Sequence, residues 1–196
     1  MDKVHLIGLT GTAGAGKDTV ADLLCKMFVM RNLSSGDAVR AMTRYVYHLP
    51  ADFNPIRDQL YEVANYFRNE IDPAIFVKMC VLESKASKID KAIISGLRSM
   101  GEAQAVRNAG GIIVGVDADP HIRYNRMFSR ARDAEAQKSL EEFLEQDEHE
   151  NRGVSDQGVG RGIRSIIDSA DLVINNNGTV EELQAELNAK IAPLFR

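Results

Sequence analysis

The stretch GLTGTAGAGKDTVADLL, residues 8–24, has the residue types and spacing of a phosphate-binding loop. Gly11, Gly16 and Lys17 fit the pattern G-x-x-x-x-G-K, with an apolar run before it and helical periodicity after it. Glycines let successive backbone N–H groups turn toward a phosphate chain, and the helix amino end adds partial positive charge. We therefore expect ATP to bind along nine residues: Gly11, Thr12, Ala13, Gly14, Ala15, Gly16, Lys17, Asp18 and Thr19.

Asp18 departs from the usual form of this loop, in which a serine or threonine after the lysine holds Mg²⁺. A carboxylate can bind Mg²⁺ directly or through water, and Thr19 supplies a second oxygen nearby. A carboxylate beside a triphosphate is repulsive unless a cation lies between them, which favours Asp18 as a metal ligand. Alternatively, Asp18 only stabilises the helix amino end through its charge. Both interpretations stay open from the sequence.

Short apolar runs predict the strands that position this loop. The runs at 4–9, 92–94, 112–116 and 172–174 lack alternation, as expected for a parallel sheet covered on both faces. Helical patterns lie between them, with start signals at Asp72-Pro73 and at a capping box of Thr179 with Glu182. Strands that alternate with helices predict an α/β sandwich whose ligand lies at the carboxyl ends of the strands.

Two segments interrupt the alternation of strands and helices. Residues 34–71 contain two helical patterns separated by prolines, and residues 123–159 turn arginine-rich, then acidic, then glycine-rich. We interpret the first as a helical insert and the second as a lid, on a single domain with a core of 1–33, 72–122 and 160–196. The apolar positions predicted to pack inward are Met42, Tyr45, Val46, Leu49, Ile56, Leu60, Val63 and Phe67 in the insert, and Ile75, Met79 and Leu82 in the next helix.

Composition limits the class of partner. The chain has 196 residues, a net charge of -4 and a pI near 5.6, so it lacks the surplus of lysine and arginine that binding a nucleic-acid backbone needs. Cys25 and Cys80 have no metal-ligand or CxxC spacing, which indicates a reduced, cytoplasmic protein. No run suits a signal peptide or a membrane span. We expect nucleotide substrates, no nucleic acid, no membrane partner, and a monomer or homodimer.

Several stretches resemble P-loop nucleotide kinases. GKDTVADLL resembles the phosphate loop of phage deoxynucleoside monophosphate kinases, in which Asp follows the lysine. SSGDAVR (34–40) resembles the S-T-G-D-x-x-R of adenylate kinases, ISGLRS (94–99) their D-G-x-R after the third strand, and RYNRMFSRAR (123–132) the opening of their lid. SADLVINNNGTVEEL resembles the last strand and helix of dephospho-CoA kinases and of archaeal adenylate-kinase-related proteins.

This resemblance implies a P-loop NTPase three-layer sandwich with a five-stranded parallel sheet, a helical acceptor-binding insert and a lid. The implied activity is transfer of the γ-phosphoryl group of Mg-ATP to a nucleoside or deoxynucleoside monophosphate. The implied catalytic residues are Lys17, Arg98, Arg126 and Arg130. The implied acceptor site consists of Ser35, Gly36, Asp37, Arg40 and Arg98, since guanidinium groups bind phosphate oxygens bidentately. Candidates for reading the acceptor base are Tyr61, Asn65 and Arg68.

Ser95 departs from the family pattern, because these kinases usually have Asp at the end of the third strand, where it steadies hydrated Mg²⁺. Asp18 would compensate by placing a carboxylate on the other side of the ion. Two other functions stay open. A dephospho-CoA kinase would need a base for a ribose hydroxyl, for which Asp37 is available. A nucleotide-binding switch or slow ATPase acting on a protein partner is the third possibility.

Overall fold

Five parallel strands form a sheet whose carboxyl ends lie along one edge. The computed structural model describes residues 5–129, 139–152 and 162–195. The strands are β1 (Leu6–Gly11), β2 (Arg31–Ser34), β3 (Ala92–Ser95), β4 (Ile112–Asp117) and β5 (Leu172–Asn175), in the order β2-β3-β1-β4-β5. Ser95 pairs with Ser34 on one side and with Leu9 on the other, so the loops after β1, β2 and β3 open together.

Helices cover both faces of the sheet, which confirms the predicted three-layer α/β sandwich. The described helices are α1 (Lys17–Phe28), α2 (Ser35–Val46), α3 (Arg57–Tyr66), α4 (Ile75–Ala86), α5 (Met100–Asn108), α6 (Pro120–Ser129), α7 (Leu140–Arg152), α8 (Ile163–Asp168) and α9 (Val180–Ile191). A π-helical turn (Phe67–Ile71) precedes α4, and a 3₁₀ turn (Ala192–Phe195) follows α9. Among the described helices, none combines the length and the apolar character that crossing a bilayer requires.

The core has one cluster on each face of the sheet. Ile7 and Leu9 of β1 pack with α1 and α9, whereas Ile94 of β3 and Ile113 of β4 pack with α4 and α5. These four side chains are fully buried. Burying one such side chain stabilises the fold by about 1.5–3 kcal/mol, so the sheet that carries the phosphate loop is held from both faces.

The segment predicted as an insert is helical, but part of its predicted apolar face is wrong. α2, α3 and the π-helical turn pack against α4 through a third cluster built on Val39, Ala64 and Phe76. Tyr45 and Val46 are exposed, whereas the polar Thr43 is fully buried. Thr43 can be buried because its hydroxyl donates to the carbonyl oxygen of Val39 at 2.8 Å. Ile56 is also exposed, because it precedes α3 instead of forming part of it.

The helix α4 needs a similar correction. Leu82 is exposed, while the buried side chains are Phe76, Val77, Cys80 and Val81. The reason is that α4 lies between the sheet and the insert, so its buried stripe is wider than a helix with one partner would show. Of the two predicted start signals, the capping box of Thr179 with Glu182 is present at α9. Asp72 does not cap α4: its Oδ1 accepts the N–H of Ala74 at 2.8 Å in the turn before the helix, and α4 begins at Ile75 with Ala74 at the N-cap position.

Burial in α4 raises the pKa of the Cys80 thiol to about 12. Because the thiolate is the reactive form, we expect iodoacetamide at pH 8 to label Cys25 faster than Cys80 in the native protein, and both cysteines in denaturant. Above the ordinary thiol pKa of 9.0 the unfolded state loses a proton that the native state keeps, so this group lowers stability as the pH rises from 9 toward 12. Mass spectrometry would measure the labelling. Equal native rates for the two cysteines would contradict the burial of Cys80.

Candidate functional site

The phosphate loop joins β1 to α1 at the carboxyl edge of the sheet. β1 ends at Gly11 and α1 begins at Lys17. Gly14 and Gly16 have φ angles of 76° and 89°, in the left-handed region that favours glycine. A Cβ at Gly14 would also lie 2.7 Å from the carbonyl oxygen of Arg123. Backbone shape and packing therefore both require glycine in this loop.

A cavity of about 450 Å³ lies over the loop. Eight of the nine residues predicted to bind ATP line it; the exception is Ala15, whose side chain is fully buried in the core beside α1. Thr12 Oγ1 is buried and has no hydrogen-bond partner among the described residues. Since buried polar atoms are nearly always paired, an unpaired hydroxyl at the cavity wall fits a site for phosphate oxygens.

Two side chains that the sequence analysis missed support the loop from behind. Arg123, which is 3% exposed, donates to the carbonyl oxygens of Ala13 and Ala118 at 3.2 and 3.0 Å. Asn176, which follows β5, donates its side-chain amide to the carbonyl oxygen of Ala15 at 2.8 Å. Both side chains donate to loop carbonyl oxygens, so the acceptors of Ala13 and Ala15 are occupied from behind the loop.

Arg123 also connects the phosphate loop to α7. Its two terminal nitrogens donate to the two carboxylate oxygens of Asp147 at 2.5 and 2.6 Å, and its guanidinium lies 5.6 Å from the centroid of the Phe143 ring. The two charged side chains are 4% and 11% exposed. Within the segment predicted as a lid, α6 and α7 are therefore joined by a buried, bidentate ion pair, and its arginine also contacts the phosphate loop through the carbonyl oxygen of Ala13.

Lys17 and Asp18 lie at the amino end of α1, beside the cavity. Lys17 Nζ contacts Asp18 Oδ1, and Thr19 lines the same wall. Ser95, the position where the resemblance predicted a carboxylate in related kinases, is buried at the end of β3 and is not among the residues that line the cavity. Within the described ranges, no three His, Cys, Asp or Glu side chains are grouped to hold a metal ion. Asp18 and Thr19, which line the cavity, carry side-chain oxygens of the kind that would suit Mg²⁺ together with phosphate oxygens.

The opposite wall of the cavity comes from the segments after β2 and β3. Four of the five predicted acceptor-site residues line it: Ser35, Gly36, Arg40 and Arg98. The Ser35 hydroxyl donates to the carbonyl oxygen of Gly96 at 3.0 Å, which joins the start of α2 to the loop after β3. The fifth, Asp37, does not line the cavity; it points to solvent and accepts a hydrogen bond from Arg40 at 2.8 Å.

A second cavity of about 190 Å³ extends between the insert and the loop after β3. It shares Ser35, Gly36, Arg40 and Arg98 with the first cavity, and it is further lined by Arg57, Tyr61 and Arg68. Of the residues predicted to read an acceptor base, Tyr61 and Arg68 therefore face this cavity, whereas Asn65 is not among its lining residues.

Of the two predicted lid arginines, Arg126 belongs to the described residues and lies away from these walls. Arg126 donates to the carbonyl oxygen of Asn176 at 2.9 Å and approaches its side-chain oxygen at 3.5 Å. It does not line either cavity, so its catalytic role stays a prediction that requires it to move. Arg130 lies outside the described residues, and its role also stays a prediction.

Comparison with known proteins assigns the family. The family model described as an AAA domain matches residues 7–152 of this chain. A UPF0200 protein of Pyrococcus horikoshii is 30% identical over 97% of this chain and 97% of its own length. The chain belongs to the UPF0200 family. This assignment confirms the predicted relationship to P-loop nucleotide kinases.

Other matches of this UPF0200 protein include kinases. A dephospho-CoA kinase of Corynebacterium glutamicum is 26% identical over 96% of both chains. Among solved structures, a Thermus thermophilus protein matches with a TM-score of 0.61 at 21% identity, covering 98% of this chain and 99% of that one. A shikimate kinase of Bacteroides thetaiotaomicron matches with a TM-score of 0.57 at 15% identity, covering 96% and 97%. The structural matches show a shared fold.

Two replacements of Asp18, by alanine and by serine, test whether it binds Mg²⁺ in this UPF0200 protein. We expect Asp18→Ala to raise the Mg²⁺ concentration that half-maximal ATP binding needs by about tenfold, because an oxygen ligand is lost. Asp18→Ser keeps an oxygen at the usual position and should stay close to the wild type. Calorimetric ATP titrations at several Mg²⁺ concentrations measure both. An unchanged requirement in Asp18→Ala would contradict metal contact and leave Asp18 as a helix-end charge.

Proposed function

We propose that this UPF0200 protein is a cytoplasmic enzyme that transfers the γ-phosphoryl group of Mg-ATP to a nucleoside or deoxynucleoside monophosphate. The observation that carries the proposal is the wall shared by the two cavities, formed by Ser35, Gly36, Arg40 and Arg98. Phosphoryl transfer needs a donor and an acceptor held close together and in line. A phosphate loop on one side of a shared arginine wall and a second cavity on the other suit that requirement.

Each side of the shared wall has a role in this proposal. On the donor side, Lys17 and the loop N–H groups would bind the β and γ phosphates. Mg²⁺, held by Asp18 and Thr19, would neutralise charge on the phosphate oxygens. On the acceptor side, Arg40 and Arg98 would bind a monophosphate of nearly two negative charges through their planar guanidinium groups.

The distribution of carboxylates favours a phosphate over a hydroxyl as the acceptor group. A phosphate oxygen is already anionic and needs no base, whereas a hydroxyl must lose a proton during transfer. Asp18 is the one acidic residue among the described residues that line the two cavities, and it lies on the donor side. No carboxylate of the described lining is thus left for a hydroxyl acceptor.

Dephospho-CoA kinase is the second candidate, because a relative with that name matches over nearly the full length of both chains. In this alternative Asp37 would act as the base for a ribose hydroxyl. Asp37 would first have to leave Arg40, from which it accepts a hydrogen bond, and turn into the cavity. This extra step makes it the weaker candidate.

A panel of acceptors distinguishes the candidates. The purified protein would be incubated with Mg-ATP and each of the ribo- and deoxynucleoside monophosphates, dephospho-CoA or shikimate, and ADP formation measured against an acceptor-free control. Turnover that depends on a monophosphate would support the proposal and identify the substrate. Turnover with dephospho-CoA alone would support the second candidate. ADP formation at one rate with or without acceptors would contradict both and favour a switch or slow ATPase.

A further inference from the structure

Glu102 is a buried carboxylate that the function proposed above does not use. It lies in the first turn of α5 and is 1% exposed. Its backbone N–H donates to the hydroxyl of Ser99 at 3.2 Å, and its Oε2 accepts the backbone N–H of Arg98 at 2.6 Å. One carboxylate oxygen of Glu102 therefore fixes the main chain of an arginine that lines both cavities.

The other carboxylate oxygen of Glu102 reaches the insert. Its Oε1 forms an ion pair with Arg68 at 3.5 Å, and Arg68 comes from the π-helical turn before α4. The Arg68 guanidinium also lies 5.3 Å from the centroid of the fully buried Phe76 ring. Held between a carboxylate and a ring face, Arg68 lines the second cavity with its side chain 19% exposed. Glu102 thus connects arginines from two separate elements.

Stability alone gives a weak reason for a carboxylate at this position. Burial raises the pKa of Glu102, and the Arg68 guanidinium opposes that rise. A buried ion pair is often no more stabilising than apolar side chains of the same volume. What the pair does provide is direction: a guanidinium has five N–H donors in a fixed fork, so a carboxylate on one edge determines where the remaining donors point.

We propose that Glu102 is a positioning residue for the acceptor phosphate. Its carboxylate orients the side chain of Arg68 and, by accepting the backbone N–H of Arg98, fixes the main chain at Arg98. This inference rests on the proposed function only in taking the second cavity as the acceptor site. Glu102 itself does not touch the acceptor, and its effect reaches the acceptor through the two arginines.

Binding of inorganic phosphate tests this proposal without requiring turnover. The non-hydrolysable analogue AMPPNP with Mg²⁺ would first saturate the phosphate loop, and phosphate would then be titrated as a probe of the acceptor arginines. Glu102→Gln keeps the side-chain volume but turns an N–H₂ group toward either the Arg98 backbone N–H or the Arg68 guanidinium. We expect the phosphate Kd of this variant to rise about tenfold. The Kd of Mg-AMPPNP should not change. Glu181→Gln, the same replacement at an exposed first-turn position of α9, should change neither constant.

A second variant keeps the test decisive if Glu102→Gln folds poorly. Arg68→Met removes one arginine of the pair and should raise the phosphate Kd while leaving the Mg-AMPPNP Kd unchanged. In the double variant Glu102→Gln/Arg68→Met, the phosphate Kd should rise by less than the product of the two single fold-changes, because both replacements remove the same contact. The proposal would be overturned if the double variant raised the phosphate Kd by the full product of the two single fold-changes, or if neither single variant changed the phosphate Kd. It would also be overturned if phosphate and Mg-AMPPNP lost affinity equally, or if the wild type did not bind phosphate.

The outcomes for Glu102 and for the proposed function are separable. If no monophosphate in the panel is phosphorylated but Glu102→Gln still weakens phosphate binding selectively, the proposed function fails and the positioning role holds. If a monophosphate is phosphorylated and Glu102→Gln leaves its KM and the phosphate Kd unchanged, the positioning role fails and the proposed function holds.

Discussion

Replacing Lys17 with methionine is expected to lower acceptor-dependent ADP formation by about 10²–10³-fold, the usual cost of removing one charge-stabilising donor from a phosphoryl-transfer site. Lys17 begins α1, lines the cavity over the phosphate loop and is about three-quarters buried, with a side chain 25% exposed. Methionine keeps a flexible apolar stem of similar length, so the protein should fold normally. Steady-state ADP assays with the acceptor identified in the panel measure the effect.

The matched control is Lys26→Met, the same replacement at an exposed position in the last turn of the same helix. It should leave both the rate and the thermal midpoint near the wild-type values. A Lys17→Met protein that retains more than about a tenth of the wild-type rate would contradict the role assigned to Lys17 at the transferring phosphate.

Asp147→Ala is expected to lower the free energy of unfolding by about 3–5 kcal/mol, because it leaves the buried Arg123 guanidinium without its carboxylate partner. Arg123 donates two hydrogen bonds to the Asp147 carboxylate, and both side chains are almost fully buried. Urea denaturation followed by circular dichroism measures the change. The loss should also weaken ATP binding, since Arg123 donates to the loop carbonyl of Ala13.

Asp168→Ala provides the control for a general effect of removing an ion pair. Asp168 pairs with Arg164 on the surface, where both side chains are about half exposed, so its loss should cost less than about 1 kcal/mol. If Asp147→Ala lowered the free energy of unfolding as little as Asp168→Ala does, the stabilising role of the buried Arg123–Asp147 pair would be contradicted.

The phosphate loop could be predicted from the sequence because its determinants are local. Gly14, Gly16 and Lys17 adopt the expected conformation through backbone angles and helix geometry that depend on few distant residues. By contrast, β2 has no apolar run, since three of its four residues are polar or charged and Leu33 alone is fully buried there. An edge strand is covered on fewer sides than a central one, so its sequence carries a weaker signal.

The support behind the site could not be predicted, because it depends on tertiary contacts between distant segments. Arg123 and Asn176 reach loop carbonyls that are more than a hundred residues away in the chain. In the same way, the contact of Glu102 with Arg68 joins two helical segments whose separate patterns give no sign of it. The resemblance of residues 123–132 to the opening of a lid indicated Arg126, whereas the arginine that contacts the loop is Arg123, three residues earlier.

The residues around the two cavities give the molecule an uneven electric field. Lys17, Arg40, Arg57, Arg68 and Arg98 line them with Asp18 as the acidic member of the described lining, in a chain whose net charge is -4. Cationic side chains that line a cleft focus field lines on its mouth, which favours the entry of small polyanions such as nucleotides. Association of nucleotides should consequently slow as ionic strength rises, because dissolved salt screens this attraction within about 10 Å at 0.1 M.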